Sequence, residues 1–169
     1  MINPIINKIR KKEEDNSVSI GIVGDVSFHN IDIPSIDFFT PLISVMQNTD
    51  IVIANIETVV SNRNLLPTKK QGIFLKSDPN FLKLLKKIGV DIALLANNHI
   101  DDYGLDGIHD SIEALNKEEI LSFGVKGLEE LSINKKGISF RLRGVVTPYE
   151  SDEFLTSYGK SLNSIEMVE

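Results

Sequence analysis

Short uninterrupted runs of apolar residues, separated by stretches with helical spacing, organise the first two thirds of the chain. The runs cover residues 18–24, 51–56 and 90–96. Apolar runs of this length without alternation predict strands that are buried on both faces. Between the first two runs, residues 36–47 carry apolar side chains at helical spacing. This order of strands and helices predicts an α/β domain with a largely parallel sheet.

Two further helices are predicted from their boundaries. In the stretch SDPNFLKLLKKIG, Ser77 or Asp78 is suited to cap a helix, and Pro79 suits its first turn. Gly89 is expected to end this helix, because glycine readily adopts the left-handed conformation that follows a last turn. A second helix is predicted over residues 105–117.

The regions that flank these elements show other patterns. Residues 58–72 are polar and lack periodicity, which predicts a loop. Further along, Ile138, Phe140 and Leu142 alternate with polar residues and predict a half-exposed strand. A turn at residues 134–137 is expected to pair this strand with the one before it.

The last residues of the chain predict a helix with one apolar face. That face is formed by Phe154, Tyr158, Leu162, Ile165 and Val168. The charged N-terminus predicts a polar segment over residues 1–17, followed by a domain over 18–169. Because no capping residue follows the last helix, we expect this domain to be incomplete at its C-terminus; a helix that frays at its end is the alternative. An uncovered helix face and strand edge predict self-association or a missing C-terminal half.

Composition narrows the range of functions. The 169 residues are 41% hydrophobic and 25% charged, which is enough to build a core. The net charge of −6 argues against nucleic-acid binding, which depends on Lys and Arg neutralising phosphates. With no cysteine, any metal ion must be held by oxygen and imidazole ligands.

Hydropathy along the chain bears on its location. We expect no transmembrane segment, because no uncharged run reaches the roughly 18 residues that span a bilayer. The N-terminus lacks the apolar stretch of about 7–15 residues that a signal peptide carries. A cytoplasmic protein is therefore the default expectation, and peripheral association with the cell envelope is the alternative.

Chemically active side chains follow each of the three predicted parallel strands. Asp25 ends the first strand, Glu57 follows the second, and Asn97, Asn98 and His99 follow the third. Because the carboxyl ends of parallel strands meet at one edge of a sheet, we expect these residues to converge. Taken singly, each also suits a turn or a helix cap. Together, carboxylate, amide and imidazole groups suit Mn, Zn or Fe.

Four segments carry a family resemblance: GDVSF (24–28), ANIET (54–58), LANNHIDDYGLDGIHDSIEAL (95–115) and SFGV (122–125). They resemble the poly-γ-glutamate capsule-biosynthesis (CapA-type) family of the calcineurin-like metallophosphoesterase superfamily. The likeness covers residues 18–146 and implies the N-terminal half of a metallophosphoesterase-like layered fold.

The resemblance also implies roles for individual residues. Asp25 would hold a first divalent metal ion, Glu57 would stand at the position of a bridging carboxylate, and Asn98 would be an oxygen ligand. His99 would donate a proton to an anionic small-molecule or polymer substrate, or stabilise its charge. Either Asp101 or Asp102 would orient this histidine.

The chain also departs from the superfamily pattern. Ser27 stands where the superfamily commonly has a histidine, and His29 is a candidate replacement. No histidine lies beyond residue 109, although the superfamily completes its metal site with later histidines. We therefore expect at most one weakly held ion and little phosphoesterase turnover from this chain alone.

Two functions remain open at this point. One is a capsule or poly-γ-glutamate synthesis protein derived from a metal-dependent hydrolase of phosphate or amide bonds. The alternative is a non-catalytic remnant or accessory scaffold with at most one weak metal site. A nucleotide-binding module is disfavoured because no Walker A or G-x-G-x-x-G loop follows the first strand.

Overall fold

The computed structural model describes residues 17–69 and 71–146, together with the backbone of residues 164–167. The strands are β1 (Ile20–Val26), β2 (Ile51–Ile56), β3 (Val59–Val60), β4 (Lys76–Ser77), β5 (Ile92–Leu94), β6 (Leu121–Phe123), β7 (Glu130–Lys135), β8 (Ile138–Arg143) and β9 (Ser164–Met167). The helices are a short 3-10 helix (Ile36–Phe39), α1 (Thr40–Met46), α2 (Asn80–Ile88) and α3 (Gly104–Lys117).

The central sheet has four strands in the order β1-β2-β5-β6, and all of its neighbouring pairs are parallel. This arrangement confirms the predicted α/β layered fold with a largely parallel sheet. The fourth strand, β6, was not predicted from the sequence. It has only three residues, so its apolar pattern is too short to distinguish a strand from a loop.

The apolar side chains of strand β2 are buried on both faces of the sheet. Its even-numbered positions, represented by Val52 and Ala54, pack with the helices in one hydrophobic core. The alternating residues Ile51 and Ile53 pack against β7 and β8 in a second core. Because side chains alternate across a strand, only an uninterrupted apolar run can supply both cores. The three layers are therefore helices, parallel sheet and antiparallel sheet.

The start of helix α2 refines the sequence prediction. The Asp78 side chain accepts a hydrogen bond from the Asn80 amide at 2.8 Å, so Asp78 is the capping residue. Ser77 is not the cap. It lies in β4, and its hydroxyl accepts the Phe28 amide at 3.0 Å. At the other end, Gly89 has a φ of 106° and ends the helix as predicted.

The predicted loop over residues 58–72 contains a short strand. Val59 and Val60 form β3, which pairs in parallel with β4. The Val60 amide also donates to the Ser111 hydroxyl of α3 at 2.8 Å. Helix α3 approaches β3 closely at Gly107, where a Cβ atom would lie 2.9 Å from a Val59 methyl carbon. Two residues carry too little pattern to predict a strand, and here a tertiary contact stabilises it.

The predicted hairpin between β7 and β8 is confirmed. The strands are antiparallel, and Lys136 and Gly137 form the turn with φ values of 53° and 81°. Positive φ at both turn positions is the geometry that matches the twist of a two-residue hairpin. Phe140 and Leu142 point into the second core, as the alternation of apolar residues predicts.

The predicted C-terminal helix is wrong at residues 164–167. These residues form β9, which pairs antiparallel with β8. The backbone groups along the free edge of β8 favour a further strand, and this tertiary pairing overrides helical spacing in the sequence. The other residues of the predicted helix, and residues 1–16 of the polar N-terminal segment, lie outside the described residues.

The edge of the central sheet at β1 is open in the part of the chain that the structure describes. Strand β1 pairs only with β2 there, and its Ile22 is 67% exposed. No helix among the described residues combines the length and apolar composition needed to cross a bilayer.

We predict that Phe81→Ala lowers the free energy of unfolding by about 3–5 kcal/mol, because it removes a large buried ring. Phe81 is 0% exposed and stacks on Phe28 with ring centroids 5.0 Å apart. The matched control is Phe38→Ala, since Phe38 is 77% exposed. Urea unfolding followed by circular dichroism measures both, and equal losses in the two variants would contradict the described core.

We predict that the chain self-associates through the open edge of β1. Exposed strand edges with apolar side chains promote pairing between molecules, and a charge at such an edge opposes it. Ile22→Lys should therefore reduce the mass measured by light scattering at a given concentration. Leu66→Lys is the control, because Leu66 is 85% exposed but lies outside the strands. A mass that is unaffected by Ile22→Lys would rule out this edge.

Candidate functional site

The register between β1 and β2 places the first carboxylate of the site. A shift between Val23 and Asp25 brings Asp25 opposite Asn55, and the Glu57 amide then donates to the Val26 carbonyl at 3.0 Å. The Asn55 side-chain amide donates to Asp25 Oδ1 at 2.6 Å. Asp25 is thereby held at the exposed carboxyl edge of the sheet, next to the start of the loop that carries Glu57.

Asp25 and Glu57 lie together at this edge. Burial raises the pKa of the Glu57 carboxyl, and a hydrogen bond with Asp25 and the negative charge of Asp25 raise it further. The neighbouring His99 lowers this pKa. Two carboxylates in a partly desolvated position repel each other unless a proton or a cation lies between them. This pair is therefore able to hold a proton or a cation.

His99 lies in the loop after β5, between the side chains of Asp102 and Glu57. Its Nδ1 lies 2.9 Å from Asp102 Oδ2, and its Nε2 lies 3.9 Å from Glu57 Oε1. Asp102 is 0% exposed, and its Oδ2 also accepts the Leu75 amide. A carboxylate at Nδ1 favours the tautomer with its proton on that nitrogen. The Nε2 atom is then directed toward the carboxylate pair.

The structure distinguishes between the two carboxylates that were predicted to orient His99. Asp102 contacts the ring directly, as described above. Asp101 is half-buried, and its backbone carbonyl accepts the Gly104 amide at 2.9 Å. Asp102 is therefore the orienting residue that the geometry supports, and a role for Asp101 stays a prediction.

The two asparagines before His99 differ in their surroundings. Asn97 is buried, and its side chain bonds to Asn55 and to the Ile56 carbonyl. Asn98 is exposed on the same loop. The predicted role of Asn98 as an oxygen ligand stays a prediction.

His29 lies beside β4. Its Nδ1 lies 3.1 Å from the Lys76 carbonyl oxygen and 3.2 Å from the Lys76 amide nitrogen. Its Nε2 lies 2.9 Å from the Asn30 side-chain nitrogen. These contacts give the ring a structural role in the loop after β1, and a role in metal binding stays a prediction.

Asn55 has a part in the site that reasoning from the sequence did not assign. In the run IVIANI it is the single polar residue. It lies within the segment ANIET (54–58), but its contact with Asp25 depends on the shifted register between β1 and β2. A lone amide in a buried apolar strand was the signal available in the sequence.

Comparison with known proteins identifies the family. Residues 19–147 match the model of a family described as bacterial capsule synthesis protein PGA_cap. This chain belongs to that family. It is 30% identical over 122 residues to the capsule biosynthesis protein CapA of Bacillus anthracis. That match covers 65% of this chain and 29% of the relative.

The family assignment covers the whole candidate site. Asp25, Glu57, Asn98, His99 and Asp102 all lie within the matched residues 19–147. The region that defines membership in the family is therefore the region that builds the carboxyl edge of the central sheet.

The Asp25–Glu57 pair is the part of the site at which a cation would relieve repulsion between like charges. The Asp25–Glu57 pair suits one cation, because a cation would neutralise the repulsion that a shared proton otherwise relieves. Among the described residues, no group of three His, Asp or Glu side chains is arranged to hold a metal ion.

We predict that Glu57→Gln stabilises the metal-free chain at neutral pH. The folded state raises the pKa of Glu57 above its ordinary value of 4.5, so it favours the protonated form. This contribution to stability is complete below pH 4.5 and is lost as the pH rises through the folded-state pKa. Glutamine resembles the protonated form and should avoid that loss.

Urea unfolding in the presence of a chelator, at about pH 4 and about pH 7, measures this effect. Glu57→Gln should exceed the native chain in stability at the higher pH and approach it at the lower pH. Glu118→Gln, at the end of α3, is the control. A variant that is less stable than the native chain at neutral pH would show that the Glu57 carboxylate is not under repulsion.

Proposed function

We propose that this chain acts in capsule or poly-γ-glutamate synthesis through a site derived from a metal-dependent hydrolase of phosphate or amide bonds. One observation carries the proposal. The Asp25–Glu57 carboxylate pair and the His99–Asp102 pair face each other at the carboxyl edge of a parallel sheet. Open α/β sheets bind their ligands at this edge.

One divalent cation, Mn, Zn or Fe, would be held by Asp25 and Glu57, with Asn98 as a further oxygen ligand. Oxygen ligands of this kind accommodate these ions in the absence of thiolates. When bound, the ion would act as a Lewis acid on a substrate oxygen. It would also attract an anionic small molecule or polymer to a chain whose net charge is −6.

His99 would handle the proton in this reaction. Asp102 is buried and bonds to Nδ1, so it can stabilise a positively charged imidazole ring and hold it in one orientation. The Nε2 atom faces the carboxylate pair at 3.9 Å from Glu57. From there it can donate a proton to a leaving group, or stabilise negative charge on a substrate, within reach of the edge.

The setting of the reaction is part of the same proposal. The chain spans 29% of the length of the CapA relative, so activity, substrate and partners are proposed for the whole protein. We place it in the cytoplasm or peripherally at the cell envelope. Self-association, or a C-terminal half beyond the matched region, would supply further ligands.

A second candidate is an accessory scaffold without turnover. This scaffold role is favoured because the described residues contain no cluster of three His, Asp or Glu side chains that could hold a metal ion. Hydrolysis by two metal ions needs both ions about 3.5–4 Å apart, with the attacking and leaving oxygens both bound. One ion on two carboxylates does not meet that requirement.

We predict that the chain binds one Mn²⁺ ion weakly and that Asp25→Asn and Glu57→Gln each abolish this binding. Each substitution removes one of two charged ligands, and no third His, Asp or Glu side chain joins them among the residues that the structure describes. Isothermal titration with Mn²⁺ at neutral pH measures the stoichiometry and affinity. Asp37→Asn is the matched control, because Asp37 lies on the 3-10 helix and not at the carboxyl edge.

Turnover of a generic phosphodiester and of a γ-glutamyl peptide separates the two candidates. We expect little metal-dependent hydrolysis by the chain alone, and its complete loss in His99→Gln. Binding of Mn²⁺ with a small His99-dependent rate supports a hydrolase-derived site. If Mn²⁺ does not bind and neither substrate is cleaved, the accessory scaffold is the better assignment. Rapid hydrolysis by the chain alone would refute the expectation of a single ion.

A further inference from the structure

Asn55 and Asn97 form a continuous hydrogen-bonded connection across the site. Asn97 donates through its side-chain nitrogen to Asn55 Oδ1 at 3.1 Å, and Asn55 donates to Asp25 Oδ1 at 2.6 Å. At the other end, Asn97 Oδ1 accepts the His99 amide at 3.0 Å. Two side-chain amides therefore link the carboxylate on β1 with the loop that carries the imidazole.

The orientation of each amide in this connection follows from hydrogen-bond chemistry. The Asn97 nitrogen faces two acceptors, Asn55 Oδ1 and the Ile56 carbonyl, and its oxygen faces a donor, the His99 amide. A flipped Asn97 amide would place oxygen against two oxygens, which is unfavourable in a buried position. With the Asn97 amide fixed, the Asn55 oxygen must face Asn97.

The fixed Asn55 amide determines how it meets the carboxylate. Because its oxygen faces Asn97, its nitrogen faces Asp25 and donates to a negatively charged acceptor. Hydrogen bonds to charged groups are shorter and stronger than those between neutral groups. The connection therefore has one direction, from the backbone of the His99 loop to the carboxylate of Asp25.

The burial of Asn97 and the position of Asn55 in its strand support a dedicated role. Asn97 is buried, and the half-buried Asn55 interrupts a strand whose other five residues are all buried. Placing an amide in such a position is costly unless it is fully hydrogen-bonded. Asn55 is the single polar residue in an otherwise apolar strand, and its amide is hydrogen-bonded on both sides, to Asn97 and to Asp25.

We propose that Asn55 and Asn97 are positioning residues that hold the Asp25 carboxylate and the His99 loop at a fixed separation. This inference rests on the proposed function, because the separation matters only where a ligand contacts both groups. Neither asparagine needs to touch the metal ion or the substrate. Residues that orient metal ligands in this way typically contribute about 10–100-fold in metal affinity.

A double-mutant cycle tests the connection. The variants are Asn55→Ala, Asn97→Ala and the pair, with Asn134→Ala as the matched control, because the Asn134 side chain bonds to Ser139 on the hairpin. The probe is Mn²⁺, with affinity measured by isothermal titration and folding checked by thermal melting. Each site variant should weaken Mn²⁺ binding at least tenfold. The double variant should be no weaker than the more affected single variant, because either change breaks the same connection.

A second readout is independent of metal binding. In the metal-free chain, Asn55→Ala should shift the NMR signals of the His99 amide and imidazole ring, whereas Asn134→Ala should not. A residue that serves only the local stability of β2 would leave those signals unchanged. This measurement needs only the Asn55 variant, so it stays decisive if Asn97→Ala fails to fold.

The outcomes separate the two proposals. The positioning role would be overturned if the losses of Mn²⁺ affinity in the two single variants multiplied in the double variant. It would also be overturned if Asn55→Ala left the NMR signals of His99 unchanged. A native chain that binds no Mn²⁺ would refute the proposed metal site, and the NMR comparison would then decide the positioning role by itself. Coupled affinity losses with unchanged melting temperatures would establish it.

Discussion

The parallel pairing of β1 with β2, with its shift between Val23 and Asp25, is the constraint on which the candidate site depends. The shift places Asp25 opposite Asn55. The next pair is Val26 with Ile56, and the Glu57 amide then donates to the Val26 carbonyl. Without the shift, side-chain alternation would direct Asp25 to the other face of the sheet. The burial of β2 in both cores makes its own position difficult to change, so β1 takes its register from a rigid neighbour.

The position of the charged side chains at this edge follows from the pairing of the strands. Two acidic side chains are brought together, and the raised pKa of Glu57 reflects the resulting burial and repulsion. Across from this pair lies His99, which is paired with Asp102. The Asp102 carboxylate is buried, and its Oδ2 contacts Nδ1 of the His99 ring and accepts the Leu75 amide. Asp102 also receives the Thr68 amide at its backbone carbonyl, at 2.9 Å. The chain between β3 and β4 therefore helps to hold the histidine in place.

This arrangement is relevant to how a member of the capsule synthesis family uses the fold. The parallel sheet supplies a rigid edge, and the loops after β1, β2 and β5 deliver carboxylate, amide and imidazole groups to it. The antiparallel layer of β7, β8 and β9 covers the face of the sheet that the helices leave open, and Phe140 and Leu142 pack against it. This layer stabilises the strands that carry the site.

The sequence by itself determined the strands and helices with strong patterns. The run at residues 51–56 predicted a strand buried on both faces, the alternation at 138–142 predicted a half-exposed strand, and Gly89 predicted the end of a helix. Each of these patterns reflects local sterics or burial. Convergence of Asp25 and Glu57 followed from parallel topology, since the carboxyl ends of such strands share an edge.

Tertiary structure alone decided the features that depend on contacts between distant residues. The short strands β3 and β6 and the strand at residues 164–167 exist because neighbouring backbone groups pair with them. The choice of Asn55 as the partner of Asp25 was likewise undetermined by spacing along the chain. Spacing also left Asp101 and Asp102 as equal candidates for the partner of His99, and the conformation of their loop decided between them. Hydrogen bonds between residues 30 or more positions apart depend on register and loop packing, which no local pattern encodes.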